Sequence, residues 1–378
     1  MKQFIYADNA ATTKLDMDAF CAMEPFFLEE YGNPSQMYSF SRKPKQALRE
    51  ARAVIASCIN AEPQEIYFTS GGTESNNWAL KCISDENNPN RTIITSRIEH
   101  HSVLRVCETI EKSGDTVIYI PVTNEGIVTP ESLAEAAPAG VKLVSVMLAN
   151  NEIGTIEPVK KLCEITHSLG GVFHTDAVQA VGHIEVDVKE LGIDMLSASA
   201  HKFNGPKGIG FLYIKKGTPV NAFINGGAQE YGIRAGTQNV ASIVGMSTAL
   251  KKNCDAIREN SEYLLSLEDI LLDRLNAAGL DFIRNGSKHH IPGNISLSFN
   301  NSDGELLLHR LDLMGIAVSS GAACNSSDTV VSHVIKAIGS EDNYAKGTIR
   351  ISLGKNNTPE EVKIISERLV SILRNNRI

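Results

Sequence analysis

Between residues 66 and 214 short apolar runs alternate with amphipathic stretches, and no other feature limits the fold as strongly. Runs at 66–69, 92–95, 116–120, 141–148, 172–175 and 209–214 read as strands, separated by helical patterns at 101–112, 130–137 and 158–169. Such alternation predicts a largely parallel sheet with helices on both faces. In sheets of that kind ligands gather at the strand ends. Ahead of this region, apolar residues at 47, 48, 51, 54, 55, 58 and 59 predict an amphipathic helix over 44–59. Tyr6 to Thr13 is too polar for a core strand and reads as an extended arm, and Tyr31 to Ser35 is a turn cluster.

The pattern changes beyond residue 240. A long helical stretch, Val240 to Ala278, is expected to bend midway. Asn294 to Phe299 and Thr348 to Leu353 then alternate apolar and polar residues, which predicts a sheet covered on one face. Thr358-Pro-Glu-Glu361 has the N-cap threonine, N1 proline and N3 glutamate of a capping box. At 378 residues two domains are the natural expectation. A large domain over 15–254 and a smaller α+β domain built from 1–14 and 255–378 follow from these changes of pattern.

The net charge of −8 argues against a dedicated nucleic-acid binder. No run approaches the roughly 18 apolar residues of a membrane span, and no apolar h-region marks a signal peptide. The seven cysteines are scattered without C-x-x-C or ligand-like histidine spacing, so a reducing cytoplasm and no metal site are expected. Six of them sit in helix-like patterns; Cys324 alone lies among serines and glycines.

Five stretches at strand ends carry residues suited to chemistry. Leu196-Ser-Ala-Ser-Ala-His-Lys202 runs from a strand into a glycine-rich turn, where Lys202 could serve as an imine-forming amine or be an ordinary loop lysine. Ser70-Gly-Gly-Thr73 joins a strand to a helix start; its free amides suit an anion, though a plain turn has the same composition. Asp176 ends a strand, either as a helix cap or as a buried carboxylate that needs a cation such as a protonated pyridine nitrogen. Asn151 follows another strand, and Glu99-His100-His101 a third, where one histidine could stack on an aromatic cofactor and move protons. On the strand at 348–353, Arg350 faces away from Ile349, Ile351 and Leu353 and could clamp a carboxylate.

Taken together, these residues and the segments Ser199-Ala-His-Lys202, Gly205-Pro-Lys-Gly-Ile-Gly210 and Ser319-Ser-Gly-Ala-Ala-Cys324 resemble one family over nearly the whole chain. It is that of the cysteine desulfurases of the nitrogen-fixation and iron–sulfur-cluster type, class V aminotransferases. The resemblance implies the α/β fold type I of pyridoxal-phosphate (PLP)-dependent transferases, with a mostly parallel seven-stranded sheet and a smaller α+β domain. It implies that Lys202 carries PLP, Asp176 pairs with the pyridine nitrogen, Gln179 contacts the phenolic oxygen and His100 stacks on the ring. Gly72, Thr73, Ser199, His201 and, from a partner subunit, Thr237 would bind the phosphate, while Asn151 and Arg350 hold the substrate carboxylate. Cys324, on a loop long enough to carry sulfur outward, would take sulfur from L-cysteine as a persulfide and leave L-alanine.

The same resemblance implies a cytoplasmic homodimer that hands sulfur to a cluster scaffold or a tRNA- or cofactor-thiolation protein, with transient iron–sulfur ligation by Cys324. A selenocysteine lyase, another class V aminotransferase and an inactive PLP-binding accessory protein are the alternatives. Two departures stand out. Tyr231 occupies the place of the family's arginine in Gly226-Gly-Ala-Gln-Glu-Tyr-Gly232, and Asn325-Ser-Ser-Asp-Thr follows Cys324. The chain also stops directly after its last helical pattern, so scaffold docking through a C-terminal extension is not expected.

Overall fold

The computed structural model describes residues 4–83, 92–138, 140–320 and 331–375. Strand β1 (Ile5–Tyr6) opens the chain. Next come β2 (Ile66–Thr69), β3 (Thr92–Ser96), β4 (Thr116–Ile120), β5 (Leu143–Ser145), β6 (Val172–Asp176), β7 (Met195–Ser199) and β8 (Gly210–Ile214). These last seven form one sheet in the order β2-β8-β7-β6-β5-β3-β4. Only β8 runs antiparallel to its neighbours, so six strands point the same way and their carboxyl ends share one rim.

Both faces of this sheet are buried, as a parallel sheet requires. Successive residues of β8 alternate between the two cores: Phe211 and Tyr213 join Leu48, Ile55 and Phe173, while Leu212 and Ile214 join Trp78, Val106 and Ile110. The helices Arg42–Cys58 and Val240–Asp255 belong to the first side, and Gly72–Lys81 and His101–Lys112 to the second. Gly210 is required where β8 meets the turn after β2, since a Cβ there would lie 2.4 Å from the Ala198 carbonyl.

Two expectations are refined. The apolar run at 141–148 pairs as a ladder only over Leu143–Ser145, after which the amides of Val146 and Leu148 still bond to the carbonyls of His174 and Asp176. The long stretch at 240–278 is two helices, Val240–Asp255 and Ile257–Ala277, broken at Ala256.

The second part of the chain supplies β9 (Phe282–Asn285), β10 (Asn294–Phe299), β11 (Ile316–Ala317), β12 (Ser319–Ser320) and β13 (Thr348–Ser352). An antiparallel sheet has the order β12-β13-β10-β9, and β1 pairs in parallel with β11. Ile295, Leu297, Ile349 and Ile351 pack in a separate core with Ile5, Ala7 and the helices Ile257–Ala277 and Pro359–Asn375. The polar face is not solvated, contrary to the expectation of a sheet covered on one side: Ser296, Ser298, Arg350 and Ser352 are all buried. Side-chain hydrogen bonds and the N-terminal arm cover it, with Ala10 N–H donating to Ser352 Oγ at 2.9 Å. Thr358 and Glu361 form the reciprocal capping box at the start of the last helix.

Candidate active site

The carboxyl ends of β2, β6 and β7 open onto a cavity of about 720 Å³, closed from the other side by the N-terminal arm and β13. Gly72, Thr73, His100, Asn151, Asp176, Gln179, Ser199, His201, Lys202 and Arg350 all line it. Thr237 does not. It is exposed and borders a separate hollow of about 210 Å³ with Phe27 and Tyr31. Cys324 and the residues around it lie outside the described residues.

Lys202 sits in a short helical turn directly after β7, and its Nζ donates to the carbonyls of Ala10 and Ala11 at 2.6 and 2.8 Å. Desolvation, aided by the Arg350 cation, brings its pKa down to about 8, against the opposing pull of Asp176 and Asp8. Desolvation, with the cations of Lys202 and Lys207, drops His201 to about 4. A neutral amine is thus accessible near neutral pH.

Asp176 ends β6 and is nearly fully buried. Its carboxylate accepts from Val178 N–H at 3.0 Å and from Asn76 Nδ2 at 2.6 Å, both neutral donors. Among the described residues no ion pair joins it to a cationic side chain. Asn76 also donates to Ser102 Oγ at 2.8 Å, and that hydroxyl lies 2.8 Å from His100 Nδ1. His100 is the N-cap of the helix His101–Lys112, and desolvation by the surrounding protein lowers its pKa while the ring keeps an open edge.

At the β2 end, Gly71 takes φ +148° and the helix Gly72–Lys81 starts at once. The Gly72 and Thr73 amides have no partner among the described residues, and a Cβ on Gly72 would lie 2.6 Å from Val178 Cγ2. Beside it, Glu74 accepts from Nε and Nη2 of Arg234, at 2.9 and 3.1 Å. Across the cavity Arg350 donates from Nη2 to Asp8 at 2.7 Å and from Nη1 to the Asn151 carbonyl at 2.8 Å, and its buried Nε has no acceptor among the described residues. The neighbouring Glu152 is pushed up to about 7 by burial, although Ser332 Oγ donates to it at 2.6 Å.

Sequence reasoning missed the arm's backbone at Ala10 and Ala11, the Asp8 carboxylate, and the Asn76 and Ser102 links. Backbone acceptors carry no residue signature. Asn76 lies one helical turn beyond the glycine pair and faces the same way as Gly72, a spacing that could have pointed to it.

The model of the family described as aminotransferase class-V matches residues 5–365. The chain belongs to that family. Within it, a cysteine desulfurase IscS from Dictyoglomus turgidum is 46% identical over 379 residues, covering 99% of this chain and 96% of the relative. A solved structure described as a NifS-like protein superposes with a TM-score of 0.92 at 38% identity, over 98% of this chain and all of the other. Another, described as SspA in complex with cysteine, has a TM-score of 0.83 at 31% identity and covers 94% of this chain and all of its own. The fold is accordingly the PLP-dependent type I fold, with a seven-stranded, mostly parallel sheet and smaller sheets beside it.

Pyridoxal phosphate is the cofactor of this family, and the cavity's donors and acceptors suit it. Among the described residues the buried Asp176 carboxylate has no cationic partner and the Gly72 and Thr73 amides have no acceptor, and an amine with lowered pKa lines the same cavity.

Proposed function

We propose that this protein is a PLP-dependent cysteine desulfurase, converting L-cysteine to L-alanine and passing the sulfur to Cys324 as a persulfide. The observation that carries this reading is one cavity holding a buried carboxylate without a cationic partner, a lysine with pKa near 8 and an arginine whose Nε has no acceptor, both absences holding among the described residues. Lys202 is the residue that would hold the cofactor and Asp176 the partner of its pyridine nitrogen. Gln179 would hold its phenolic oxygen and His100 would face its ring. Gly72, Thr73, Ser199 and His201 would hold its phosphate. When bound, the cofactor supplies an electron sink for the substrate's α-carbon.

The remaining steps belong to this chain's own groups. Arg350 and Asn151 orient the substrate carboxylate, which fixes the α-proton and thiol relative to Lys202. Lys202 Nζ moves the α-proton, because its neutral form is accessible at working pH. Cys324 attacks the substrate sulfur: an S–S bond forms, the C–S bond breaks, and the electron pair stays with the carbon that becomes alanine. Purified protein given cysteine and a reductant should release alanine and sulfide in equal amounts. Keto-acid-dependent transamination in place of sulfide release would reject the proposal.

The active species in this reading is a cytoplasmic homodimer in which Thr237 reaches the partner's phosphate site. Exposed Phe27 and Tyr31 line the hollow that Thr237 borders, and exposed apolar side chains there support that arrangement. The six described cysteines are free thiols, in keeping with a reducing compartment. Two main cores support a large domain at 15–254 and a small one at 1–14 and 255–378, joined where Val334, Ile335 and Ile338 pack against Ile98, Met147 and Ile153. The sulfur acceptor is a cluster scaffold or a thiolation protein; labelled sulfur that failed to move from Cys324 to either class would remove that part.

A further inference from the structure

We infer that Asn76 and Ser102 are positioning residues that hold His100 in the tautomer with its proton on Nε2, so that it faces the cavity as a hydrogen-bond donor and not as a base. This rests on the reading that the cavity binds cofactor and amino-acid substrate, but the tautomer is measurable without turnover.

The polarity of the chain is set at Asp176. A carboxylate oxygen already accepting from Val178 N–H requires a donor at the other oxygen, so the Asn76 atom 2.6 Å away must be its amide nitrogen. The same nitrogen lies 2.8 Å from Ser102 Oγ, which therefore accepts there. The hydroxyl proton of Ser102 is then free to point at His100 Nδ1, 2.8 Å away. The Ser102 backbone N–H, which can only donate, reaches the same Nδ1 at 3.1 Å. Two donors thus converge on Nδ1. A proton on that atom would lose both bonds, so the neutral ring carries its proton on Nε2.

The charged ring is opposed for the same reason, and desolvation acts in the same direction. The groups facing His100 are Asp176, which favours its cation, and Lys202, His101 and His333, which oppose it. In a neutral imidazole with a protonated Nε2, the one lone pair that could accept a proton is Nδ1's, and both donors already occupy it. The ring can polarise an electron-rich oxygen, nitrogen or sulfur through Nε2–H, as neutral histidines do elsewhere. This modifies the expectation that His100 moves protons, and leaves base work to Lys202.

The test is nitrogen NMR on protein labelled with ¹⁵N-histidine, with the His100 signals identified by their absence in His100→Asn. Spectra of the holoenzyme and of the cofactor-free protein at pH 7 should both show a pyrrole-type Nε2 and a pyridine-type Nδ1. A protonated Nδ1, alone or in an imidazolium, overturns the inference. Asn76→Asp turns the Ser102 hydroxyl toward the new carboxylate and leaves Nδ1 with the Ser102 backbone N–H alone, so the titration of His100 should move up by about one pH unit or more. Ser102→Ala should move it upward by less, and Ser102→Thr should restore it. An unmoved titration in folded Asn76→Asp overturns the role given to the chain, and the wild-type spectrum decides the tautomer even if that variant does not fold.

Discussion

Replacing Arg350 by alanine should raise KM for cysteine about 30- to 1,000-fold and leave kcat within a few-fold. The guanidinium is buried, lines the cavity, is held by Asp8 and the Asn151 carbonyl, and has no acceptor at Nε among the described residues. A carboxylate arriving there gains charge-assisted bonds whose loss costs about 2–4 kcal/mol. At about 1.4 kcal/mol per factor of ten, that is the stated range. The contact is the same before and during the chemistry, so the loss belongs in KM. Arg350→Lys keeps the charge without the fork and should fall between the two. Steady-state alanine formation against cysteine concentration reads both parameters. An unchanged KM, or a loss confined to kcat with KM intact, would refute the assignment of Arg350 to the substrate carboxylate.

Other outcomes follow from the same cavity. Cofactor uptake by cofactor-free protein needs the neutral Lys202 amine, so with a pKa of about 8 its rate should rise about fivefold between pH 7 and pH 8 and level off above pH 9. Arg350→Ala removes a cation that depresses that pKa, so the midpoint should move to higher pH; stopped-flow absorbance checks both statements, and a flat profile counts against them. Arg52 binds both oxygens of Glu230 at 2.8 Å in a buried pair, and Arg52→Ala should lower unfolding free energy by about 3–5 kcal/mol because Glu230 is left charged and buried. Urea denaturation with a loss below about 1 kcal/mol would show the site rehydrates. Sedimentation at assay concentration should find a dimer; a fully active monomer would remove Thr237 from the proposed phosphate site.

The large fold was legible because its strands are buried on both faces and read as unbroken apolar runs between helical periods. Lys202 and Asp176 could be found since each ends such a run, and Arg350 because Ile349 and Ile351 assign it to the opposite face. The N-terminal arm was harder to read. Its contribution at Ala10 and Ala11 is made by carbonyl groups, and Asp8 acts across 342 residues of sequence separation. Arg52 looks like one polar residue in an amphipathic helix, and only the fold brings Glu230 beneath it. The polar positions of β10 and β13 suggested a solvated face for the same reason: alternation reports polarity, and hydrogen bonds to a distant segment satisfy a polar face as water does.

The central claim is sulfur transfer to Cys324, and mass spectrometry of the protein after brief reaction with cysteine, without reductant, tests it most directly. The account predicts one added sulfur atom on the peptide carrying Cys324. In Cys324→Ser the adduct and alanine release should both be lost while cofactor content is retained. Normal alanine release by Cys324→Ser, or an adduct on another cysteine with Cys324 unmodified, would contradict it.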